Sequence, residues 1–175
     1  GKNPFVVCDD ADIDQAVHWA SLSAFSNAGQ RCASGSRILV FRSIYDEFRD
    51  KLIAKANSLK LGISTGSDLG PVISKRQQEN ILTAIGLAES AGGRVLCGGV
   101  ASSEPGLLNG YYIQPTVIDS LQRTADLSCH EIFGPVAVLH QVEDLSDALE
   151  LANATGAFAS ASSQTKRARP WTAGT

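Results

Sequence analysis

The sequence predicts one α/β domain in which helices flank a largely parallel sheet. Two observations favour this fold class. Short apolar runs typical of buried strands alternate with longer segments whose apolar residues recur at helical spacing, as in helices packed on a parallel sheet. The chain has 175 residues, 43% of them hydrophobic and 19% charged, which is ordinary globular composition and enough length for one core.

The first elements are a strand and a helix. The apolar run at 4–7 is continuous enough for a buried strand. Apolar residues then recur at helical spacing after Asp10 and Asp12, either of which suits a helix N-terminus as a cap. We expect this helix to end near 27–29.

A second strand and two further helices follow. The run at 38–41 has the continuous apolar character of a strand, and the residues from Ser43 have the form of a capping box that opens a helix. Residues 61–62 end that helix. The next helix begins near Ser74 and stops at the glycines 92–93.

The second half predicts four strands, one helix and a surface loop. The loop at 99–110 is rich in Ser, Pro, Gly and Asn, and residues 148–152 belong to a last short helix. Periodicity is lost from Gly156 onward, which predicts weak order there. The predicted strands are 95–97, 111–113, 116–118 and 136–139.

Composition argues against several partners and locations. A formal net charge of −3 gives no electrostatic reason for binding nucleic acid or an anionic membrane. No apolar run approaches the roughly 20 residues of a membrane span, and the first residues lack a signal-peptide pattern. The four cysteines form no C-x-x-C pair, so we expect free thiols in a reducing, cytoplasmic compartment.

One cysteine has surroundings unlike those of a core residue. Cys8 and Cys97 lie in apolar runs and are expected to be inert. Cys32 instead lies among Gly, Gln, Arg, Ala and Ser residues in the stretch FSNAGQRCASGSR. The cation of Arg31 and outward-pointing backbone N–H groups would favour the thiolate of Cys32, which is what a nucleophile needs.

A nucleophilic cysteine admits two reactions. A hydrolase or acyltransferase needs a histidine base, for which the candidates are His18, His130 and His140. His18 on a helix and His140 in a strand are both expected to be structural histidines with satisfied hydrogen bonds. An aldehyde oxidation instead transfers a hydride to a nicotinamide, and a carboxylate then activates water. Taken alone, these residues leave both reactions open.

The cysteine stretch resembles the active-site cysteine segment of the aldehyde dehydrogenase superfamily. The shared features are an aromatic residue, Asn27, Gly29-Gln30, the cysteine and a small-residue run that ends in Arg37; Ser34 is a mild departure. Further segments match motifs of that family in the same order: GKNP at 1–4, DDADID at 9–14, LGP at 69–71, GYYIQPTV at 110–117 and EIFGPV at 131–136.

The resemblance implies particular roles. Cys32 would be the nucleophile, Glu131 the carboxylate that hydrogen-bonds the nicotinamide ribose, and Phe133 the ring beside the nicotinamide. Gln77 would approach the cofactor, which is NAD or NADP. Three consecutive residues such as 129–131 do not converge easily on one ion, so no metal site is expected.

The resemblance also implies an incomplete enzyme. Residues 1–155 would be the catalytic domain of an aldehyde dehydrogenase-like fold, and 156–175 an atypical tail. The sequence contains no methionine and begins at the second glycine of the family's E-L-G-G-K motif, so we expect a part of a longer protein. The family's glutamate base would then lie three residues before Gly1, and most of the cofactor would be bound by a nucleotide-binding domain outside this chain.

The expected activity follows from these roles. As part of a full-length homo-oligomer, the chain would oxidise a small aldehyde to an acid through a thiohemiacetal and a thioester, whereas the chain alone would be poorly active. The remaining alternatives are a cysteine-dependent esterase or thioesterase and a catalytically silent remnant. No partner among nucleic acids or membranes is expected.

Overall fold

The protein contains a six-stranded, mostly parallel sheet. A computed structural model describes residues 2–154 and the backbone of 161–163. The strand order is β3-β4-β5-β2-β1-β6, and only the β3–β4 pair is antiparallel. The predicted fold class is therefore confirmed. The strands are β1 (Pro4–Val7), β2 (Arg37–Phe41), β3 (Arg94–Cys97), β4 (Thr116–Asp119), β5 (Val136–Val142) and β6 (Ala161–Ser163).

Helices cover both faces of the sheet. Alternate residues of β2 point to opposite faces, as the pleat of a strand requires. On one face, Ile38 and Val40 pack with the apolar sides of α1 and α2. On the other face, Leu39 and Phe41 pack with α5, while α3 covers β4 and β5. The helices are α1 (Ile13–Phe25), α2 (Tyr45–Ser58), α3 (Lys75–Ser90), α4 (Asp126–Cys129) and α5 (Leu145–Asn153).

The predicted cap at Asp12 and the predicted helix start near Ser74 are confirmed. The Asp12 carboxylate accepts a hydrogen bond from the N–H of Gln15 at 3.2 Å, and the Ser74 hydroxyl accepts one from the N–H of Gln77 at 3.2 Å. Each bond satisfies one of the N–H groups that a helix start leaves without a partner inside the helix. The starts of α1 and α3 are therefore determined by hydrogen bonds within the first turn of each helix.

The capping box predicted at Ser43 is wrong. Ser43 lies inside a 3₁₀ turn, Arg42–Ile44, and α2 begins after it at Tyr45 with no side-chain cap. A full capping box needs Glu or Gln three residues after the Ser, whereas this chain has Asp46 there. The Asp46 carboxylate instead accepts a hydrogen bond from Arg49 at 2.6 Å.

The strand predicted at 111–113 is also wrong. Its contribution to the sheet is an isolated antiparallel bridge between Ile113 and Ala101. Pro115, which has no N–H to donate, follows closely, and the ladder of β4 begins only at Thr116. The prediction of weak order from Gly156 onward falls outside the described residues, apart from the strand β6.

Three basic residues are buried on the sheet face that α5 covers. Arg37 is fully enclosed, and its guanidinium donates to the carbonyls of Lys2 at 3.0 Å, Leu151 at 2.8 Å and Ala152 at 3.0 Å. The Lys2 amine and the Nε2 atom of His140 are buried without a hydrogen-bond partner among the described residues. Burial and then the charge of Arg37 lower the pKa of Lys2 to about 7.

His140 makes the stability of the fold depend on pH. Burial, followed by the charges of Arg37, Arg123 and Lys2, lowers the pKa of His140 to about 4 from its usual 6.5. The unfolded chain therefore binds more protons than the folded chain between these values, so the free energy of unfolding falls as the pH is lowered from 6.5 to 4.

We expect His140→Leu to reduce this acid-induced loss by about 3 kcal/mol. Urea unfolding of both proteins at pH 6.5 and pH 4 measures the difference. The matched control is His18→Leu, which changes an exposed histidine on α1 and should lose stability as the unmodified protein does. Identical losses in the His140 variant and the unmodified protein would contradict the assignment.

Candidate active site

The candidate nucleophile lies on the loop between α1 and β2. The thiol of Cys32 is exposed, in contrast to the half-buried Cys8 and Cys97. Burial raises the pKa of the thiols of Cys8 and Cys97, which fits the inert character expected of them. Because the thiol of Cys32 is exposed, a small molecule can reach it.

A strained turn precedes Cys32. Asn27, Ala28 and Gly29 have consecutive positive φ angles of 55°, 52° and 68°. Residues with a Cβ atom adopt this conformation only where the surrounding structure holds them there. The turn lets the chain leave α1 and reverse its direction before it enters β2.

The backbone of this turn packs directly on the backbone at Gly134. A Cβ atom added to Gly29 would lie 2.0 Å from the carbonyl oxygen of Gly134, which is far inside van der Waals contact. Glycine is therefore required at this position by both its φ angle and the close approach. The contact joins the cysteine loop to the EIFGPV segment, although the two are about a hundred residues apart in sequence.

Side chains hold the loop from within and from the start of β1. The Ser34 hydroxyl is buried and donates to the carbonyl of Gly29 at 3.1 Å, so the one departure from the family pattern has a satisfied hydrogen bond. The Asn3 amide donates to the carbonyl of Cys32 at 2.5 Å. Both bonds restrain the backbone on which the thiol sits.

Arg31 connects the cysteine loop to α1. Its guanidinium donates to the carbonyls of Leu22 at 3.2 Å and Ser23 at 3.1 Å, in the last turns of α1. A cation there is favourable, because the C-terminal end of a helix carries partial negative charge on its carbonyls. Arg31 therefore ties the loop to α1 and is engaged by these carbonyls.

The cofactor residues expected from the sequence lie on the turn before β5. Glu131 is exposed, and the ring of Phe133 is 37% exposed with a positive φ of 47°. The Gln77 amide donates to the carbonyls of Ile132 at 2.6 Å and Phe133 at 3.2 Å. Gln77 thus contacts the backbone of this turn, while Glu131 and Phe133 are on the surface.

The three histidines have neighbours other than Cys32. The His18 ring meets the Trp19 ring edge-on, the Nδ1 atom of His130 lies 2.7 Å from a carboxylate oxygen of Asp126, and His140 is enclosed in β5. His140 was expected to be a satisfied structural histidine, but its Nε2 atom has no partner among the described residues. Within residues 2–154, no cluster of three His, Cys, Asp or Glu side chains could hold a metal ion.

The sequence does not indicate the contacts that hold the cysteine loop and the turn before β5. The contacts from Asn3 and Gln77 join residues 29 and 55 positions apart, and no local pattern indicates them. Gln30 belongs to the FSNAGQRCASGSR stretch, but that stretch does not indicate the side-chain bonds that Gln30 makes to residues 71 and 73. Over the described part of the chain, no helix has the length and apolar character to cross a membrane.

The fold and the loop define an α/β domain with an exposed thiol on a loop that packs, through Gly29, against the segment that carries Glu131. The profile of the Aldehyde dehydrogenase family then matches residues 1–172. The chain therefore belongs to the aldehyde dehydrogenase family.

Curated relatives agree with this assignment. The chain is 41% identical over 157 residues to the chloroplastic betaine aldehyde dehydrogenase of Beta vulgaris, which is 89% of this chain and 31% of that protein. It is 37% identical over 155 residues to the alpha-ketoglutaric semialdehyde dehydrogenase of Bacillus subtilis, covering 87% of this chain and 32% of that protein. The chain thus spans about a third of the length of these relatives.

Solved structures show the same fold. A betaine aldehyde dehydrogenase from Staphylococcus aureus in complex with NAD⁺ superposes with a TM-score of 0.87 at 36% identity, covering 89% of this chain and 31% of that one. A putative aldehyde dehydrogenase from Burkholderia cenocepacia gives a TM-score of 0.92 at 34% identity, covering 95% and 35% respectively.

The contact between Gly29 and Gly134 yields a stability prediction. We expect Gly29→Ala to lower the free energy of unfolding by at least about 2 kcal/mol, because the methyl group meets the Gly134 carbonyl and the φ angle is unfavourable. Gly86→Ala is the matched control, because no atom lies within 4 Å of the Cβ that it would add. Since Gly86 lies inside α3, this substitution should raise the free energy of unfolding by about 0.5–1 kcal/mol. Urea unfolding measures both, and equal effects would contradict the assigned contact.

Proposed function

We propose that the chain supplies the nucleophilic half of an NAD(P)-dependent aldehyde dehydrogenase. The observation that carries this proposal is the exposed Cys32 thiol on a loop that packs, through Gly29, against the segment bearing Glu131 and Phe133. A covalent adduct on Cys32 would then form beside residues suited to hold a nicotinamide cofactor. Membership of the family and the NAD⁺ complex of the Staphylococcus aureus relative support it.

In the proposed reaction, Cys32 attacks the aldehyde. Its thiolate sulfur forms a bond to the carbonyl carbon, and the carbonyl oxygen takes up negative charge. The backbone N–H groups of the loop are donors of the kind that stabilise such an oxyanion. The resulting thiohemiacetal loses a hydride, which carries two electrons to the acceptor, and becomes a thioester. Water then hydrolyses the thioester, which releases the acid and restores the thiol of Cys32.

The turn before β5 offers features that fit a nicotinamide cofactor. The Glu131 carboxylate is of the type that accepts hydrogen bonds from ribose hydroxyls, and the partly exposed Phe133 ring offers an apolar surface beside it. Gln77 borders the same turn. When bound, NAD or NADP supplies the acceptor for the hydride.

The remaining parts of the enzyme are proposed to come from a longer polypeptide. We assign residues 1–155 to the catalytic domain, and assign the base that activates water and the main nucleotide-binding domain to sequence outside these residues. The full-length enzyme is proposed to be a cytoplasmic homo-oligomer. The isolated chain should turn over aldehydes poorly, since a general base and an oxyanion donor each contribute about 10²- to 10⁴-fold in rate.

Acetylation by p-nitrophenyl acetate tests the nucleophile in the chain itself. We expect a burst of one nitrophenolate per chain, with the acetyl group located on Cys32 by mass spectrometry, because that thiol is exposed. Cys32→Ser should abolish the burst. Cys8→Ser and Cys97→Ser are matched controls that should retain it, because burial raises the pKa of both thiols.

Other outcomes of this experiment would favour other classes of protein. Loss of the burst on replacing His18, His130 or His140 would favour a cysteine hydrolase. Equal labelling of Cys8, Cys32 and Cys97 would favour a catalytically silent remnant.

A chimera tests the dehydrogenase reaction. We expect NAD-dependent oxidation of betaine aldehyde when this chain replaces the matching segment of the Beta vulgaris relative, and little turnover from the chain alone. Glu131→Gln in the chimera should raise KM for the cofactor about 10- to 100-fold, because a charged hydrogen bond to a ribose hydroxyl is lost. Glu104→Gln, on an exposed loop, is the control. An unchanged KM in the Glu131 variant would contradict its role.

A further inference from the structure

The segment that leads into α3 is bonded to the cysteine loop by Gln30. The Gln30 side-chain oxygen accepts from the N–H of Ile73 at 2.9 Å, and its amide nitrogen donates to the carbonyls of Pro71 at 3.3 Å and Asn27 at 3.2 Å. Gln30 is two residues before Cys32. One carboxamide therefore connects the strained turn, the cysteine loop and the segment that leads into α3.

The first turn of α3 is itself bonded to the candidate cofactor turn. The Gln77 amide donates to the carbonyls of Ile132 and Phe133, and its backbone N–H donates to the Ser74 cap. Ile73 lies directly before that cap. Because a capped helix start is stiff, the bond made at Ile73 and the bonds made by Gln77 are held in a fixed relation.

We propose that Gln30 and Gln77 are paired positioning residues, which together set the orientation of the cysteine loop relative to the Glu131–Phe133 turn through the start of α3. The inference rests on the proposed function, because its purpose is to align an adduct on Cys32 with the cofactor. Reactions of this kind are sensitive to misplacements of about 1 Å.

The direct contact between Gly29 and Gly134 does not make this link redundant. A single backbone contact limits how closely two segments approach, but it does not by itself fix their relative rotation ahead of the paired strands β2 and β5. Carboxamide hydrogen bonds are directional and fix that rotation. Gln77 thereby gains a role different from that of a direct cofactor ligand, since its amide nitrogen is already engaged by the two carbonyls of the turn.

The chain provides a matched control for each variant. Gln77→Met and Gln30→Met keep the approximate size of the side chain and remove its hydrogen bonds. Gln78→Met makes the same change one position along α3, where the amide donates to the carbonyl of Tyr112 at 2.9 Å, outside the proposed link. Urea unfolding of all variants confirms that the comparisons are between folded proteins.

Amide hydrogen exchange of the 175-residue chain gives the first measurement. We expect Gln77→Met to speed exchange about tenfold in residues 27–31, although Gln77 has its side-chain bonds to a different segment. Gln30→Met should do the same in residues 131–134. The double variant should exceed either single variant by less than twofold, because both bonds belong to one link. Gln78→Met should leave both segments unchanged.

Acetylation by p-nitrophenyl acetate gives the second measurement. We expect Gln77→Met to lower the acetylation rate constant at saturating ester by about threefold to tenfold without changing the half-saturating ester concentration. A residue that only supports the fold would not produce this split, and Gln78→Met should change neither value.

The outcomes separate this inference from the proposed function. Equal behaviour of Gln77→Met and Gln78→Met, or additive effects in the double variant, would overturn the link. Absence of Cys32 acetylation in the unmodified chain would overturn the proposed function instead. Amide hydrogen exchange in residues 27–31 and 131–134 would still test the link. Should Gln77→Met fail to fold, exchange of residues 131–134 in Gln30→Met decides alone.

Discussion

The parallel pairing of β2 with β5 is the constraint on which the site depends. Arg37 is in register with Val138, and the N–H of Val138 donates to the carbonyl of Ser36 at 2.9 Å. The cysteine loop enters β2 and the Glu131–Phe133 turn enters β5. Because parallel strands begin at the same edge of a sheet, both segments reach that edge together. A change in this register would separate them whatever their own conformations.

Three basic side chains, Lys2, Arg37 and His140, are buried on one face of the same sheet, and their burial is electrostatically unfavourable. Arg37 remains charged when buried and is compensated by carbonyls from the start of the chain and from the end of α5. Lys2 and His140 have no such compensation within the described residues, and their lowered pKa values reflect the loss of hydration. Burial thus favours their neutral forms, which limits repulsion among three basic groups on one face.

Local signals predicted the elements, but they did not predict the contacts between them. Asp12 and Ser74 cap helices through bonds within one turn, so their roles are visible in the sequence. Ser43 is not a cap, because the capping signature that it begins lacks the Glu or Gln three residues later. The resemblance indicated Cys32, Glu131 and Phe133, whose chemical roles stay predictions. The bonds of Gln30 reach 41 and 43 positions along the chain, a separation at which single-sequence patterns carry no information.

The contact between Gly29 and Gly134 also has a consequence for biosynthesis. Polypeptides are elongated at roughly 5–20 residues per second, so Gly134 is made about 5 to 20 s after Gly29. During that interval the cysteine loop has left the ribosome's catalytic centre without the segment that shapes it. The nascent chain therefore carries a thiol whose surroundings are not yet formed. The packing around the cysteine loop is thus completed only when the strand β5 docks beside β2.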